Sequence, residues 1–168
     1  MVRARCARLR NSSPSRWLLL AGGVIVADFL TKAWVLSAFQ PHETVAVLPF
    51  FNLVLVFNAG AAFSFLAQAG GWQKWFFVVL ALAISAWIVV LLWRHANDRL
   101  QSVALALVLG GALGNVIDRL RFGAVVDFLD FHVAGWHWPA FNVADSAISI
   151  GVALLVWHSF IHKEAPHE

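Results

Sequence analysis

The chain is most apolar between residues 75 and 93, which read WFFVVLALAISAWIVVLLW. These nineteen residues include no charged side chain, and Ser85 supplies the only hydroxyl group. A helix needs about 20 apolar residues to cross the roughly 30 Å of hydrocarbon in a bilayer. This stretch therefore predicts a transmembrane helix.

The composition of the whole chain also indicates a protein embedded in a lipid bilayer. Of the 168 residues, 61% are hydrophobic and 12% are charged, whereas a soluble domain has about 45–50% and about 25%. So short a chain cannot enclose that much apolar surface in water, and disordered chains are poor in apolar residues. Because Cys6 is the only cysteine, we expect neither a disulfide framework nor a cysteine-rich zinc site.

The basic residues do not indicate nucleic-acid binding, although the formal net charge is +3. Five of the twelve lysines and arginines lie in the first sixteen residues, directly before a long apolar run. That arrangement is typical of an orientation signal for membrane insertion.

Four segments are long and apolar enough to span a membrane, at about residues 17–39, 73–93, 100–117 and 141–161. The first includes Asp28 and Lys32, and the fourth includes Asp145 near its start. A basic head before an apolar stretch is also typical of a cleaved signal peptide. Three further spans follow here, which favours a retained signal anchor and a single integral membrane domain over residues 1–168.

The distribution of lysine and arginine predicts the orientation. Eight lie in the N-terminal segment, the turn after the second span and the C-terminal tail, and four lie on the opposite side. The cytoplasmic side carries the excess, so we expect both termini in the cytoplasm. Indole rings prefer the headgroup level. The inner tryptophans are Trp17, Trp93 and Trp157, and the outer ones are Trp34, Trp72, Trp75, Trp136 and Trp138.

Two segments on the outer side complete the expected fold. Residues 41–71 include a run rich in β-branched and aromatic side chains and predict a small sheet or hairpin at the membrane surface. Residues 125–132 predict a short amphipathic or interfacial segment. The predicted fold class is an all-α polytopic membrane protein with four transmembrane helices, a small extracytoplasmic β-cradle and a short interfacial segment between spans three and four.

Ionisable side chains gather towards the outer face. A charged group in hydrocarbon costs at least about 2.5–3.5 kcal/mol, so such groups are functional candidates. Asp28 lies about 16 Å into the first span at 1.5 Å per residue, and Lys32 lies one turn nearer the surface. Further polar residues end the third span, follow it or begin the fourth: Asn115, Asp118, Asp127, Asn142 and Asp145. We expect them to converge on one site near the outer boundary.

Structural roles compete with functional ones at several of these positions. Asp28 and Lys32 are spaced i, i+4 and could simply neutralise each other. Asp118 could pair with Arg119 at the membrane interface. Asp130 could be merely solvated.

Asp127 and Asp145 have no basic partner nearby in the sequence, which favours a chemical role for this pair. Two carboxylates held close together share one proton. The ionised carboxylate takes a proton from an attacking water, and the protonated one donates to the carbonyl oxygen and later helps the leaving amine. Peptide hydrolysis by such a pair needs no metal and no cofactor.

Other catalytic chemistries fit the sequence less well. Ser64, Ser146 or Ser149 with Lys32 would form a serine–lysine hydrolase, but Asp28 already lies one turn from Lys32. The outer histidines lack the helical two-histidine spacing of a metal site; they are His42, His132 and His137.

Two functions without peptide hydrolysis stay open at this point. In a proton- or cation-coupled carrier, the aspartates would form a relay. Such a carrier needs a polar path across both halves of the bilayer, whereas the inner halves of the second and fourth spans are apolar. A scaffold subunit would tolerate Asp→Asn changes at positions 127 and 145.

Five short blocks placed around the four spans form a specific joint pattern. They read DFLTK (28–32), FNAGAAFS (57–64), GGALGNVIDRL (110–120), GAVVDF (123–128) and FNVADSA (141–147). Their order and spacing resemble those of the lipoprotein signal peptidase family, also called signal peptidase II, from about residue 17 to residue 161. Phe29 stands where many members carry a glutamine.

This resemblance implies a bacterial inner-membrane aspartic endopeptidase with its active site near the periplasmic face. The family removes the signal peptide from prolipoproteins, cutting before the diacylglyceryl-modified lipobox cysteine. By family position, Asp127 and Asp145 are the implied catalytic dyad. The residues implied to bind substrate or to support the site are Asp28, Lys32, Asn58, Gly60, Asn115, Asp118, Arg119 and Asn142.

The resemblance also implies the partners. These are the diacylglyceryl-modified prolipoproteins and membrane lipid, without nucleic acid and without a cofactor, and we expect a functional monomer. A substrate anchored by a signal helix and two acyl chains would enter laterally between the spans.

Overall fold

Four long helices form the body of the molecule. The computed structural model describes residues 13–60 and 71–161. The helices are α1 (Ser15–Ala38), α2 (Gln73–Arg94), α3 (Arg99–Phe122) and α4 (Val143–Ile161), and each is long and apolar enough to cross a membrane. The four predicted spans are thereby confirmed. The predictions on the arginines before residue 13, Cys6, Ser64 and Lys163 lie outside the described residues.

Helix α3 continues past its predicted end at residue 117 to Phe122. Its last turn carries Arg119 and Arg121, and cations are favourable at a helix C-terminus. Gly123 then ends the helix with φ of 79°, a left-handed conformation in which glycine pays no steric penalty. Arg119 therefore lies on the helix and not in the following loop.

Small residues let α3 lie at the centre of the bundle, in contact with α1, α2 and α4. A Cβ atom at Gly110 would lie 2.7 Å from the carbonyl oxygen of Ala21 in α1. A Cβ atom at Gly111 would collide with the carbonyl oxygen of Ala144 in α4. Glycine is used in this way where membrane helices approach closely, so this pair sets the spacing of the helices that carry the site.

We expect Gly111→Ala to lower the free energy of unfolding by about 1–3 kcal/mol, the usual effect of overpacking. The added methyl group meets the backbone of α4, which cannot move without displacing the helix. Gly22→Ala is the matched control, because a Cβ atom there meets nothing within 4 Å. Thermal unfolding in detergent measures both variants, and a Gly111→Ala protein as stable as the wild type would contradict this packing.

One end of the helical bundle carries a four-stranded antiparallel sheet in the order β1-β2-β3-β4. The strands are β1 (Thr44–Leu48), β2 (Phe51–Asn58), β3 (Val125–Val133) and β4 (Trp136–His137). The hairpin of β1 and β2 confirms the predicted small sheet within residues 41–60.

The sequence predicts residues 125–132 as a short amphipathic or interfacial segment and does not predict a strand there. These residues lie in β3, where Asp127 pairs with Val56 of β2. The first four residues of β3 are all buried. The strand therefore lacks the alternation of buried apolar and exposed polar residues by which a half-buried strand is predicted. Their pairing partner lies far earlier in the chain, which hides the strand from a local pattern.

A small core fastens the sheet to the helices. It consists of Val35 from α1, Leu55 from β2, and Val126 and Phe128 from β3. Val126 and Phe128 flank Asp127 on the strand. Because successive side chains of a strand point to opposite faces, the Asp127 side chain lies on the face of β3 opposite to this core.

Most tryptophans lie exposed near the ends of the helices, as a membrane-interface role requires. Trp34, Trp72, Trp75, Trp93 and Trp157 are each more than half exposed. Trp17 differs from the prediction: it is buried, and its Nε1 donates a hydrogen bond to the carbonyl oxygen of Ala96 at 3.1 Å. Its indole therefore fastens α1 to the turn between α2 and α3.

Candidate active site

A cavity of about 820 Å³ lies where the sheet meets the ends of α3 and α4. Six of the predicted site residues line it: Asn58, Gly60, Asn115, Arg119, Asp127 and Asp145. The other four lie behind this lining and are almost completely buried: Asp28, Lys32, Asp118 and Asn142. The structure thus brings all ten predicted positions to one end of the bundle.

Asn142 connects the two candidate catalytic carboxylates. Its side-chain Nδ2 donates to Asp127 Oδ1 at 2.7 Å, and its backbone N–H donates to Asp145 Oδ2 at 3.3 Å. Its Oδ1 accepts from the backbone N–H of Asp145 at 2.9 Å. This reciprocal arrangement is a capping box at the start of α4, so the helix cap itself fixes where the Asp145 carboxylate lies.

Two more asparagines orient the same carboxylates. Asn58 at the end of β2 donates to Asp127 Oδ2 at 3.1 Å. Asn115 in α3 donates to Asp145 Oδ1 at 2.7 Å. Each carboxylate therefore receives hydrogen bonds from two directions, and its orientation is set by groups on different elements.

Lys32 lies at the centre of a buried ionic network behind the cavity. Its Nζ lies 2.7 Å from Asp28 Oδ2 and 2.7 Å from Asp118 Oδ2. It also donates to Asn115 Oδ1 at 3.1 Å. The lysine thus joins α1 to α3 and supports Asn115, which in turn holds Asp145.

The two acidic members of this network reach the remaining elements of the site. Asp28 Oδ1 accepts from the backbone N–H of Ala144 in α4 at 2.9 Å, and Asp118 Oδ2 accepts from the backbone N–H of Val126 in β3 at 3.1 Å. These bonds fasten the residues next to both candidate catalytic aspartates.

The pairing of Asp28 with Lys32 is confirmed, but it is only part of a larger network. The expected pairing of Asp118 with Arg119 is wrong, since Asp118 pairs with Lys32. Consecutive residues on a helix do not face each other, so Arg119 points elsewhere.

Arg119 closes one side of the cavity. Its Nη2 donates to the carbonyl oxygen of Gly60 at 3.0 Å, and its guanidinium carbon lies 5.0 Å from the centre of the Phe77 ring. The N–H of Gly60 donates to Asn58 Oδ1 at 3.0 Å. Gly60 is therefore held between Arg119 and an asparagine that also bonds Asp127.

The environment of Asp127 favours its protonated form. Burial, together with the negative charge of Asp145, raises the pKa of Asp127 from 3.8 to about 7. Hydrogen bonds from Asn58 and Asn142 act in the opposite direction and are outweighed. A carboxyl group with this pKa can hold or release a proton near neutral pH, as general acid–base chemistry requires.

The interpretation of Asp130 as a solvated residue is wrong. Asp130 is 6% exposed and accepts from Asn52 Nδ2 at 2.8 Å. The Nδ1 of His137 lies 2.9 Å from both of its oxygens. Sequence analysis missed this cluster because its members lie on three different strands, and no local spacing relates them.

Lys32 is not placed to serve a catalytic serine. Its Nζ is bound by two carboxylates and an amide, and Ser146 Oγ donates to the carbonyl oxygen of Asn142 at 2.9 Å. Within residues 13–60 and 71–161, no group of three His, Cys, Asp or Glu side chains is arranged to hold a metal ion. The structure instead offers two carboxylates, Asp127 and Asp145, that line one cavity and are both bonded to Asn142.

Comparison with known proteins identifies the family. The family model for signal peptidase (SPase) II matches residues 20–161. The chain belongs to the signal peptidase II family. It is 60% identical over 147 residues to the lipoprotein signal peptidase of Paraburkholderia phymatum, covering 88% of this chain and 89% of that protein. It is 54% identical over 149 residues to the one from Polynucleobacter necessarius, covering 89% and 91%.

Solved structures agree with the fold. A bacterial membrane enzyme determined by the in meso method at 2.3 Å is 31% identical, with a TM-score of 0.80 over 92% of this chain and 93% of that one. A second, at 1.9 Å, is 33% identical, with a TM-score of 0.75 over 86% and 92%. As a signal peptidase II family member, the protein is a multi-pass membrane protease. This assignment sets aside the carrier and scaffold alternatives.

Proposed function

We propose that this protein removes the signal peptide from bacterial prolipoproteins by cutting before the diacylglyceryl-modified lipobox cysteine. The observation that carries the proposal is the pair of carboxylates, Asp127 and Asp145, joined through Asn142 beside one cavity. The relatives named lipoprotein signal peptidase support the choice of substrate.

In this mechanism the two aspartates hold one proton between them. The ionised carboxylate takes a proton from a water molecule as the water oxygen attacks the scissile carbonyl carbon. The protonated carboxyl group donates its proton to the carbonyl oxygen, which forms a tetrahedral intermediate. The C–N bond then breaks, and the amino group of the modified cysteine leaves with a proton from the pair. The flanking asparagines keep both carboxylates oriented through these steps.

The membrane places a lipid-anchored substrate at the required depth. The cavity lies at the ends of α3 and α4, so a scissile bond near the headgroup level would meet the carboxylates. Apolar side chains such as Phe141, Ile148 and Ile150 line the same cavity and suit a substrate held by a signal helix and two acyl chains. Lateral entry between the spans would keep those chains in lipid.

We further propose that the protein acts as a monomer in the bacterial inner membrane with both termini in the cytoplasm. The excess of lysine and arginine on that side supports this orientation. In this orientation the cavity faces the periplasm.

Cleavage of a diacylglyceryl-cysteine prolipoprotein by the purified protein in detergent tests the proposed function. Mass spectrometry should find a product that begins with the modified cysteine, and the yield should be unchanged by a metal chelator. A substrate with an unmodified cysteine is the control. No cleavage by folded wild-type protein, or cleavage at another bond, would refute the proposal.

The pH profile should report the proton held by the pair. Because the pKa of Asp127 is raised to about 7, raising the pH through this value removes the shared proton and with it the general acid. We expect kcat/KM to fall about tenfold per pH unit above that point. Initial rates at subsaturating substrate measure this limb, and a flat profile up to the limit of protein stability would contradict the assignment.

A further inference from the structure

One wall of the cavity is formed by residues 138–141, which connect β4 to α4. The α4 end of this wall is held tightly: the N–H of Phe141 donates to the carbonyl oxygen of Leu129 at 3.1 Å, and the N–H of Leu129 donates back at 2.8 Å. The Phe141 and Phe131 rings also stack, with centroids 5.9 Å apart.

The β4 end of the wall is joined to the sheet by a very short strand. Strand β4 is two residues long and pairs with β3 through only His132–His137 and Val133–Trp136. Beyond it, the N–H of Trp138 donates to the carbonyl oxygen of Phe131 at 2.8 Å. So short a strand is marginal by itself, and a side-chain contact at this end has a large influence on where the wall lies.

His137 supplies that contact. Its Nδ1 lies 2.9 Å from both oxygens of Asp130, and Asp130 also accepts from Asn52. Although burial alone would raise the pKa of Asp130, the hydrogen bonds from Asn52 and His137 hold it below its ordinary 3.8. A charged acceptor strengthens the bond to His137, so β2, β3 and β4 are joined by side chains as well as by backbone.

We infer that His137, acting through Asp130, is a positioning residue that holds the wall of residues 138–141 against the bound substrate and thereby sets substrate affinity. The candidate catalytic carboxylates are held by other groups, namely Asn58, Asn115 and Asn142. Loss of the His137–Asp130 bond therefore loosens one wall of the cavity and leaves the chemistry in place.

His137→Ala should raise KM about three- to tenfold with kcat nearly unchanged, the equivalent of one net hydrogen bond. A change confined to KM is the mark of lost binding that is common to ground state and transition state. His137→Asn should restore most of the affinity, because its Nδ2 can donate from nearly the same place as Nδ1. His132→Ala is the matched control, since that ring stacks on His137 but makes no described hydrogen bond to Asp130.

A double-mutant cycle tests whether the effect passes through Asp130. Each single substitution, Asp130→Asn or His137→Ala, should raise RT ln KM. In the double variant the rise in RT ln KM should be clearly smaller than the sum of the two single rises. Fully additive effects, an equal fall in kcat, or an unchanged KM in His137→Ala would overturn the inference.

The kinetic readout rests on the proposed function, so a second measurement makes the inference independent of it. Amide hydrogen exchange of the folded protein in detergent should quicken at Trp138 in His137→Ala and stay unchanged at Asn142 and Asp145. Unchanged exchange at Trp138 would overturn the inference even if the wild type cleaves prolipoprotein. If the wild type does not cleave, the proposed function fails, and the exchange data alone decide whether His137 holds the wall.

Discussion

Asp127→Asn and Asp145→Asn should each slow cleavage of a diacylglyceryl-modified prolipoprotein by about 10²–10⁴-fold, the range that general acid–base catalysis contributes. An amide has nearly the shape of a carboxyl group but neither takes a proton from water nor donates one as an acid. Single-turnover rates followed by mass spectrometry separate this loss from slow product release.

Asp98→Asn is the matched control for these two substitutions. Asp98 caps the opposite end of α3, where its Oδ1 accepts from the N–H of Gln101 at 3.0 Å, and asparagine is an equally good N-cap residue. We expect this variant to cleave at the wild-type rate. Cleavage that survives in either Asp127→Asn or Asp145→Asn would remove that residue from the dyad, provided that the variant keeps the wild-type melting temperature.

Lys32→Met should lower the free energy of unfolding by about 3–5 kcal/mol, because removing one partner of a buried ionic cluster leaves its other charges unpaired. Asp28 and Asp118 are 1% and 3% exposed, and both carboxylates are bound to the lysine amine. Methionine keeps most of the side-chain volume, so the effect reports charge and not a cavity. Thermal unfolding in detergent gives the change.

Two further variants make the Lys32 prediction falsifiable. Lys74→Met removes a lysine that lies over the Trp75 ring at 5.2 Å, a contact worth about 0.5–1 kcal/mol at an exposed site. The triple variant Asp28→Asn, Lys32→Met, Asp118→Asn removes the whole charged cluster and should recover part of the lost stability. A Lys32→Met protein no less stable than Lys74→Met would contradict the central role of this amine.

At the candidate site, the structure brings the predicted residues together, but the sequence does not predict all of their contacts. Asn115 and Asp118 are spaced to share one helix face, and the structure brings both to Lys32. The sequence could not show that Lys32 has two carboxylate partners, because Asp118 lies on a different helix. In the sequence, Arg119 is the nearest basic partner for Asp118. Consecutive residues on a helix do not face each other, so the Arg119 side chain points away from Asp118.

The Asp130–His137 contact is harder to predict from the sequence than the contacts of Lys32. Each residue alone is typical of a solvated outer loop. Only the pairing of β3 with β2 and β4 brings Asn52, Asp130 and His137 together. A local pattern contains no trace of this pairing.

Sequence alone determined the four spans and the end of the bundle at which the polar residues meet. The reason is that lipid offers no hydrogen bonds to the backbone, so an apolar stretch of this length must form a helix within itself. Helical periodicity then assigns residues to faces and depths without knowledge of any partner.

Tertiary structure alone decided the strand β3, the threefold bonding of Lys32 and the joining of the two carboxylates through Asn142. Each of these depends on groups that are distant in the chain and meet only after the helices pack. A strand takes its hydrogen bonds from another segment, and a buried charge takes whichever partner the packing supplies. Which groups form these bonds depends on their proximity in three dimensions, and a local sequence pattern does not show that proximity.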